Sequence, residues 1–348
     1  MWRRFFKLFL GTTVGTLAAL YAFVLIVDPY DTLPFSPGFE RTAVSTNQRF
    51  SYPALAAKSG FDSAVIGTST TRLLKPAELG GALGGRFVNL SMNSATAYEQ
   101  SEIFRLFLAA HPKPRVVIFG IDVSWCEAGA MPARFTFRPF PPWLYDSDPW
   151  NDALYLLNFS AIEQAGRQLA TLTGLRETKY GHDGYRNFLP PPSEYDLTKA
   201  RENLYGDGCP RPRRAGVPPK DGYDAYRQAL KFPTHEYLGG MVSRLPGDTI
   251  KVFLFVPYHH YTQAGPGTED EARWDECKRR VVGLAAGHPN SHVLDFMFLS
   301  QITGVDTNYW DPLHYTTGIS SRLSVMISTG VKERRGEDGL FRYLRPEP

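Results

Sequence analysis

Apolar residues in this chain fall into one long uncharged run and, beyond it, into short blocks of two different periods. From Leu8 to Val27 no residue is charged, and Arg3, Arg4 and Lys7 stand just before that run. A helix of roughly 20 apolar residues spans the hydrocarbon core of a bilayer, so residues 1–28 predict a signal-anchor transmembrane helix. A cleaved leader would need a shorter apolar core and a small-x-small site. Thr16-Leu17-Ala18 is the one candidate, and the apolar run continues past it. Basic residues before the span, with Asp28 and Asp31 after it, predict a cytoplasmic N-terminus. The rest of the chain then lies on the extracytoplasmic side, in the periplasm if the membrane is a bacterial inner membrane.

Residues 29–60 have little period and predict a connector. Beyond them, apolar blocks are short and separated by helical spacing. Ser63–Ile66, Arg86–Leu90, Val116–Gly120, Lys251–Val256 and Ser291–Phe296 predict buried strands. Between them, Leu73–Leu83, Tyr98–Ala110 (Ile103, Phe104, Leu106 and Phe107 on one face) and Glu269–Ala286 predict helices. Strand, helix and strand in alternation mean a parallel sheet with right-handed crossovers. The expected fold is α/β, with a flavodoxin-like parallel sheet over residues 61–335 and a tail over 336–348. Residues 126–245 interrupt the alternation with an aromatic and proline-rich insertion. It carries Phe137-Arg138-Pro139-Phe140-Pro141-Pro142-Trp143, a helix around Asn151–Leu172 and the stop Pro190-Pro191-Pro192.

Composition narrows the function classes. A net charge of +3 over 348 residues is too small to imply a nucleic-acid partner. Arg211, Arg213 and Arg214 cluster among prolines beside Cys209, as a solvated loop or as a contact for anionic head groups or polymers. Three cysteines allow one intrachain disulfide in an oxidising compartment. Cys209 with Cys277, leaving Cys126 free, is one pairing, and spacing does not decide among them. The run Gly80-Gly81-Ala82-Leu83-Gly84-Gly85 neither follows a strand nor opens a helix, so it predicts turns rather than a dinucleotide loop. No cofactor and no metal are expected; Tyr258-His259-His260 holds adjacent histidines without carboxylate spacing.

Two short stretches carry the chemistry. Gly67-Thr68-Ser69-Thr70-Thr71-Arg72 follows the first strand, and Asp311-Pro312-Leu313-His314 comes late in the chain. A lone serine in a turn is ordinarily a cap or turn former, and a lone Asp311 a helix cap. At the carboxyl edge of a parallel sheet, however, both stretches would reach the usual ligand-binding edge. Asp311 would then orient His314, and His314 would take the proton of Ser69. Arg72 would bind a substrate anion or form an ion pair with Asp122 or Asp311. His259, after the Lys251–Val256 strand, would line the site. The aromatic stretch Phe135–Trp150 would stack on sugar rings or pack as loop core.

These motifs resemble the SGNH (GDSL-type) hydrolase superfamily, whose first block is G-D-S after the first strand and whose last is D-x-x-H. Gly67-Thr68-Ser69 stands in the first position, and Asp311 and His314 in the last. The resemblance implies a serine nucleophile at Ser69 with Asp311 and His314 as its relay. It also implies oxyanion donors near Asn93 and Ser94, where the family's glycine is absent, and at Asp122, where an asparagine belongs. With an N-terminal anchor, the chain is similar to the envelope branch that serves alginate O-acetylation and teichoic-acid D-alanylation. That branch implies a membrane-bound O-acyltransferase partner and a polysaccharide or polyol acceptor. An ionised Asp122 would repel an oxyanion, so a non-catalytic glycan-binding or scaffold protein of the same fold stays open beside the acyltransferase or esterase.

Overall fold

A computed structural model describes residues 2–213 and 215–346; Arg214 of the basic cluster and the last two residues of the expected tail lie outside the described residues. The chain divides into two compact units, Met1–Leu55 with Pro139–Gly184, and Ala56–Arg138 with Tyr185–Pro348.

The second unit holds one six-stranded sheet: β1 (Ser63–Ile66), β2 (Phe87–Asn89), β3 (Val116–Ile121), β4 (Ile250–Phe255), β5 (Ser291–Asp295) and β6 (Arg342–Leu344), in the order β2-β1-β3-β4-β5-β6. The first five are parallel, in a register that aligns Val65 with Ile118, Ile118 with Val252 and Val252 with His292. Strands buried on both faces need continuous apolar runs, and every residue of β1, β2 and β3 is buried. Side chains alternate across the sheet. Phe104 of the helix Ala97–Ala110, Phe119 and Phe253 stack on one face. Val65, Ile118, Val252 and Leu294 belong to the other layer, packed with Leu79 of the helix Pro76–Leu83 and with Leu323 and Ile327 of the helix Thr317–Glu333. Each fully buried side chain of this size contributes about 1.5–3 kcal/mol.

The observed elements differ from expectation in identifiable ways. The helix expected over Leu73–Leu83 begins at Pro76. A residue before proline is driven out of the helical region, and Lys75 is extended at φ −84°, ψ 120°. Residues 67–75 are thereby left as a structured turn. Part of the expected C-terminal tail forms β6, antiparallel to β5. Of residues 126–245, the helix His235–Val242 packs on Ala97–Ala110, and Tyr223–Ala229 packs on Glu269–Ala286. The disulfide joins Cys126 to Cys277, and Cys209 is the free, exposed thiol. Cys126 ends a short helix after β3, and Cys277 lies in the helix Glu269–Ala286; the fold brings their Cα atoms to 5.4 Å. Sequence separation carries no trace of that approach.

The first unit contains the helix Trp2–Val27, which is long and apolar enough to cross a membrane and is buried only towards its C-terminal end, at Val24 and Val27. Its C-terminal end is fastened by polar groups. Asp28 accepts from the N–H groups of Thr32 and Leu33 and from the Ser36 hydroxyl, and Arg41 donates to Val27 O at 2.8 Å. Two corrections to the expected elements fall here. The connector contains a helix, Gln48–Ala57, with Pro53 inside it. The expected helix over Asn151–Leu172 splits into a 3-10 turn, Asn151–Tyr155, and a helix, Phe159–Leu172, capped by Asn158. Rings of the aromatic stretch pack on other rings, Trp143 on Tyr155 and Tyr30, and Phe140 on Tyr145.

Candidate active site

The serine sits where β1 ends. A Cβ at Gly67 would run into Thr71 Oγ1, and one at Gly120 would meet Thr71 Cγ2 at 2.5 Å. The absence of both side chains lets Thr71 lie between the ends of two adjacent strands. Residues 68–74 then coil through successive tight turns, Thr71 N–H to Thr68 O, Arg72 N–H to Ser69 O and Leu74 N–H to Thr71 O. Asn89 Nδ2 donates to the carbonyls of Thr71 and Leu74, 2.9 Å each, and Thr71 Oγ1 meets Ser91 Oγ at 2.8 Å. This turn is at the switch point between β1 and β3, where chain direction across the sheet reverses and open α/β sheets place their ligands. Ser69 is partly exposed, and its N–H has no hydrogen bond among the described residues.

The histidine arrives on a loop closed by the pairing of Tyr309 with Tyr315. Inside that loop Trp310 N–H donates to His314 O at 2.9 Å. Asp311 Oδ1 accepts from the N–H groups of Leu313 (2.9 Å) and His314 (3.0 Å). The carboxylate also receives His314 Nδ1, 2.7 Å from Oδ2. A carboxylate on Nδ1 selects the tautomer with its proton there, leaving Nε2 as the acceptor. Nε2 lies 2.8 Å from Ser69 Oγ. Ser69, His314 and Asp311 thus form one continuous relay across 245 positions of sequence. Burial alone would raise the Asp311 carboxyl, but hydrogen bonds from His314, its charge and the two backbone N–H groups bring it below the ordinary carboxylate value.

The other expected site residues take different places. The Asp122 carboxylate caps the turn after β3, accepting from Ser124 N–H (2.9 Å) and Ser124 Oγ (2.6 Å), and receives the hydroxyls of Thr68 and, at 3.4 Å, Thr70. It braces the residues on either side of Ser69. Burial raises its pKa, partly offset by those hydrogen bonds. Asn93 offers Oδ1 to Arg72 Nη1 at 2.5 Å, and Ser94 adopts a left-handed backbone (φ 53°) in the neighbouring loop. Arg72 forms neither expected ion pair: among the described residues it has no carboxylate partner. His259 is fully buried, with Nε2 3.2 Å from Asp306 and Nδ1 accepting Tyr261 N–H. Burial, with His260 beside it, lowers its pKa to about 4. Its contribution to the D-x-x-H loop is through the backbone, His259 N–H donating to Pro312 O at 2.9 Å.

Sequence reasoning missed Thr68, Thr70 and Ser124 as braces of the turn, and Phe188, whose ring stands edge-on to His314 at 5.2 Å. Runs of threonine around a motif serine were a usable signal for the first two. Phe188, in an irregular proline-rich segment, left none. Among the described residues no three His, Cys, Asp or Glu side chains converge as a metal would require. No protein-family model matches the chain, and no curated protein matches it in sequence.

Proposed function

We propose that this chain is a membrane-anchored serine acyltransferase or esterase of SGNH type, with a flavodoxin-like domain. It moves an acyl group to or from a hydroxyl of an envelope polysaccharide through an ester on Ser69. The supporting observation is the relay Ser69 Oγ–His314 Nε2–His314 Nδ1–Asp311. In the first half-reaction Ser69 Oγ bonds to the acyl carbon as its proton passes to His314 Nε2. The tetrahedral intermediate then collapses, and the leaving group departs with that proton. In the second, an acceptor hydroxyl gives its proton to His314 and attacks the acyl-serine; Ser69 leaves and is reprotonated. Water in place of the acceptor makes the same site an esterase. General acid–base transfer of this kind supplies typically 10²–10⁴-fold, and the unpaired Ser69 N–H is a ready oxyanion donor. Asp122 braces the turn in this reading and takes no part in oxyanion binding.

The anchor orientation follows from the charge asymmetry around residues 8–27: N-terminus in the cytoplasm, catalytic domain outside. A membrane-bound O-acyltransferase would supply acyl groups from the inner side. The full-length chain in detergent, treated with a fluorophosphonate serine probe, tests the proposal. Labelling of wild type that disappears in Ser69→Ala and His314→Ala, with unchanged melting, supports it. A folded wild type that takes no label favours the glycan-binding or scaffold protein, for which the unmatched oxyanion positions argue.

A further inference from the structure

Among the described residues Arg72 is a buried cation with no counter-charge. The residue is 3% exposed. Both aspartates that could have neutralised it are engaged elsewhere, Asp122 by Thr68 and Ser124 and Asp311 by His314. Its Nη1 donates to a neutral amide oxygen, that of Asn93, and its Nη2 is buried without a partner. The guanidinium carbon lies 4.8 Å from the centre of the Phe188 ring, and that ring is the one standing edge-on to His314 at 5.2 Å. Guanidinium and imidazole therefore share a neighbour and lie within about 10 Å of each other. An isolated buried charge costs several kcal/mol, and an unsatisfied buried donor adds roughly 1–3 kcal/mol. An aromatic face and one amide oxygen offset part of that and leave the charge itself unmatched. A buried polar group without a partner calls for an explanation, and an anionic ligand at Arg72 supplies one.

We propose that Arg72 is the anion subsite of the Ser69 centre, and that the group brought to Ser69 carries a carboxylate. The inference rests on Ser69 being the reacting residue, since Arg72 N–H is tied to Ser69 O and the guanidinium and the His314 ring both lie against Phe188. Guanidinium recognises carboxylate through paired N–H donors, and Nη2 is the donor left for it here. The carboxylate sits either at the far end of a dicarboxylic acyl group or on a uronic acid residue of the acceptor. Phe188 packs 4.8 Å from the guanidinium carbon and limits its movement.

The deciding experiment measures binding, so that it does not depend on turnover. Full-length Ser69→Ala in detergent is titrated with monomethyl succinate against dimethyl succinate, and with galacturonate against galactose, followed by ligand NMR. Tighter binding of a charged probe by tenfold or more supports the subsite. Preference for monomethyl succinate puts the carboxylate on the acyl donor, and preference for galacturonate puts it on the acceptor. Arg72→Gln in the same background should remove the preference, and Arg72→Lys should keep part of it. Equal binding of charged and neutral probes, or a preference that survives Arg72→Gln, overturns the proposal. Should Arg72→Gln fail to fold, the charged-to-neutral ratio in Ser69→Ala and Arg72→Lys decides. A folded wild type that takes no fluorophosphonate yet shows the preference separates failure of the catalytic reading from failure of this one.

Discussion

Replacing Asp122 tests how the serine is presented. Its carboxylate accepts from Ser124 N–H and Oγ and receives Thr68 and Thr70. Asp122→Ala removes a helix-capping acceptor, about 1 kcal/mol. It also removes the hydroxyl hydrogen bonds from Thr68 and Ser124 to the carboxylate, about 1.5–3 kcal/mol each. Two terms offset part of this. Thr68 keeps Thr70 Oγ1 at 3.1 Å and Ser124 keeps Gln100 at 3.0 Å, and a buried carboxylate no longer has to be desolvated. The net loss expected is about 2–4 kcal/mol, read by urea or thermal unfolding. Freed from Thr68, the Ser69 turn loses its alignment, and on the proposed mechanism a displacement near 1 Å costs on the order of 10²-fold in rate. Asp122→Asn keeps the shape: its oxygen can still accept from Ser124 N–H, and its amide can donate to Thr68 Oγ1. It should stay within about 1 kcal/mol of wild type with no gain in labelling rate. The pH dependence supplies a second check. The native carboxyl, with its pKa raised above 3.8, holds its proton to higher pH than the unfolded one. Its contribution to stability is therefore fully present below pH 3.8 and lost as pH rises through the native value; Asp122→Asn should remove that component. A tenfold faster labelling of Asp122→Asn, about 1.4 kcal/mol, would refute the reasoning by placing the charge against the oxyanion. An Asp122→Ala protein as stable as wild type would refute the bracing role.

The disulfide closes a separation of 151 residues. Chain entropy puts its contribution near 5 kcal/mol, with measured values commonly about 2–5 kcal/mol. Cys126→Ser with Cys277→Ser should lower the unfolding transition accordingly, whereas Cys209→Ser should shift it by less than about 0.5 kcal/mol. A Cys209-linked peptide in a non-reducing digest would contradict the pairing. Asp152 has its pKa raised to about 7 by burial, with Asp146, Asp28 and Asp148 nearby. Its share of stability is present below pH 3.8 and lost on the way to pH 7, so wild type should melt lower at pH 8 than at pH 5, with a smaller difference in Asp152→Asn. Gly120→Ala drives a methyl into Thr71 and should cost about 1–3 kcal/mol. Thr71→Ser, lacking Cγ2, should restore part of it; simple additivity of the two changes in a double-mutant cycle would deny the contact.

Much of the α/β layout was legible because it is written in short-range pattern. Ser63–Ile66 and Val116–Ile121 are apolar almost throughout because a central parallel strand is buried on both faces, and that leaves a mark in the sequence itself. The helix Glu269–Ala286 shows its ends equally plainly, with Thr268 as cap and three acidic residues in the first turn. The start of Pro76–Leu83 is also written locally, in the proline itself, which outweighs the apolar pair Leu73-Leu74 before it. The helix Gln48–Ala57 left a misleading mark instead, since Pro53 argues against helix.

For the site, the sequence by itself determined which groups were available: a serine two residues past a glycine at a strand end, and a carboxylate three residues before a histidine. Asp311 reaches His314 within a single loop, so that pair is a local consequence. Tertiary structure alone decided that His314 Nε2 lies 2.8 Å from Ser69 Oγ, that Asp122 braces Thr68, that His259 is buried against Asp306, and that Cys126 rather than Cys209 pairs with Cys277. Each of these joins residues tens to hundreds of positions apart. Spacing in sequence does not encode such distances, because they are set by the order in which strands enter the sheet and by the crossovers that return the chain to its carboxyl edge.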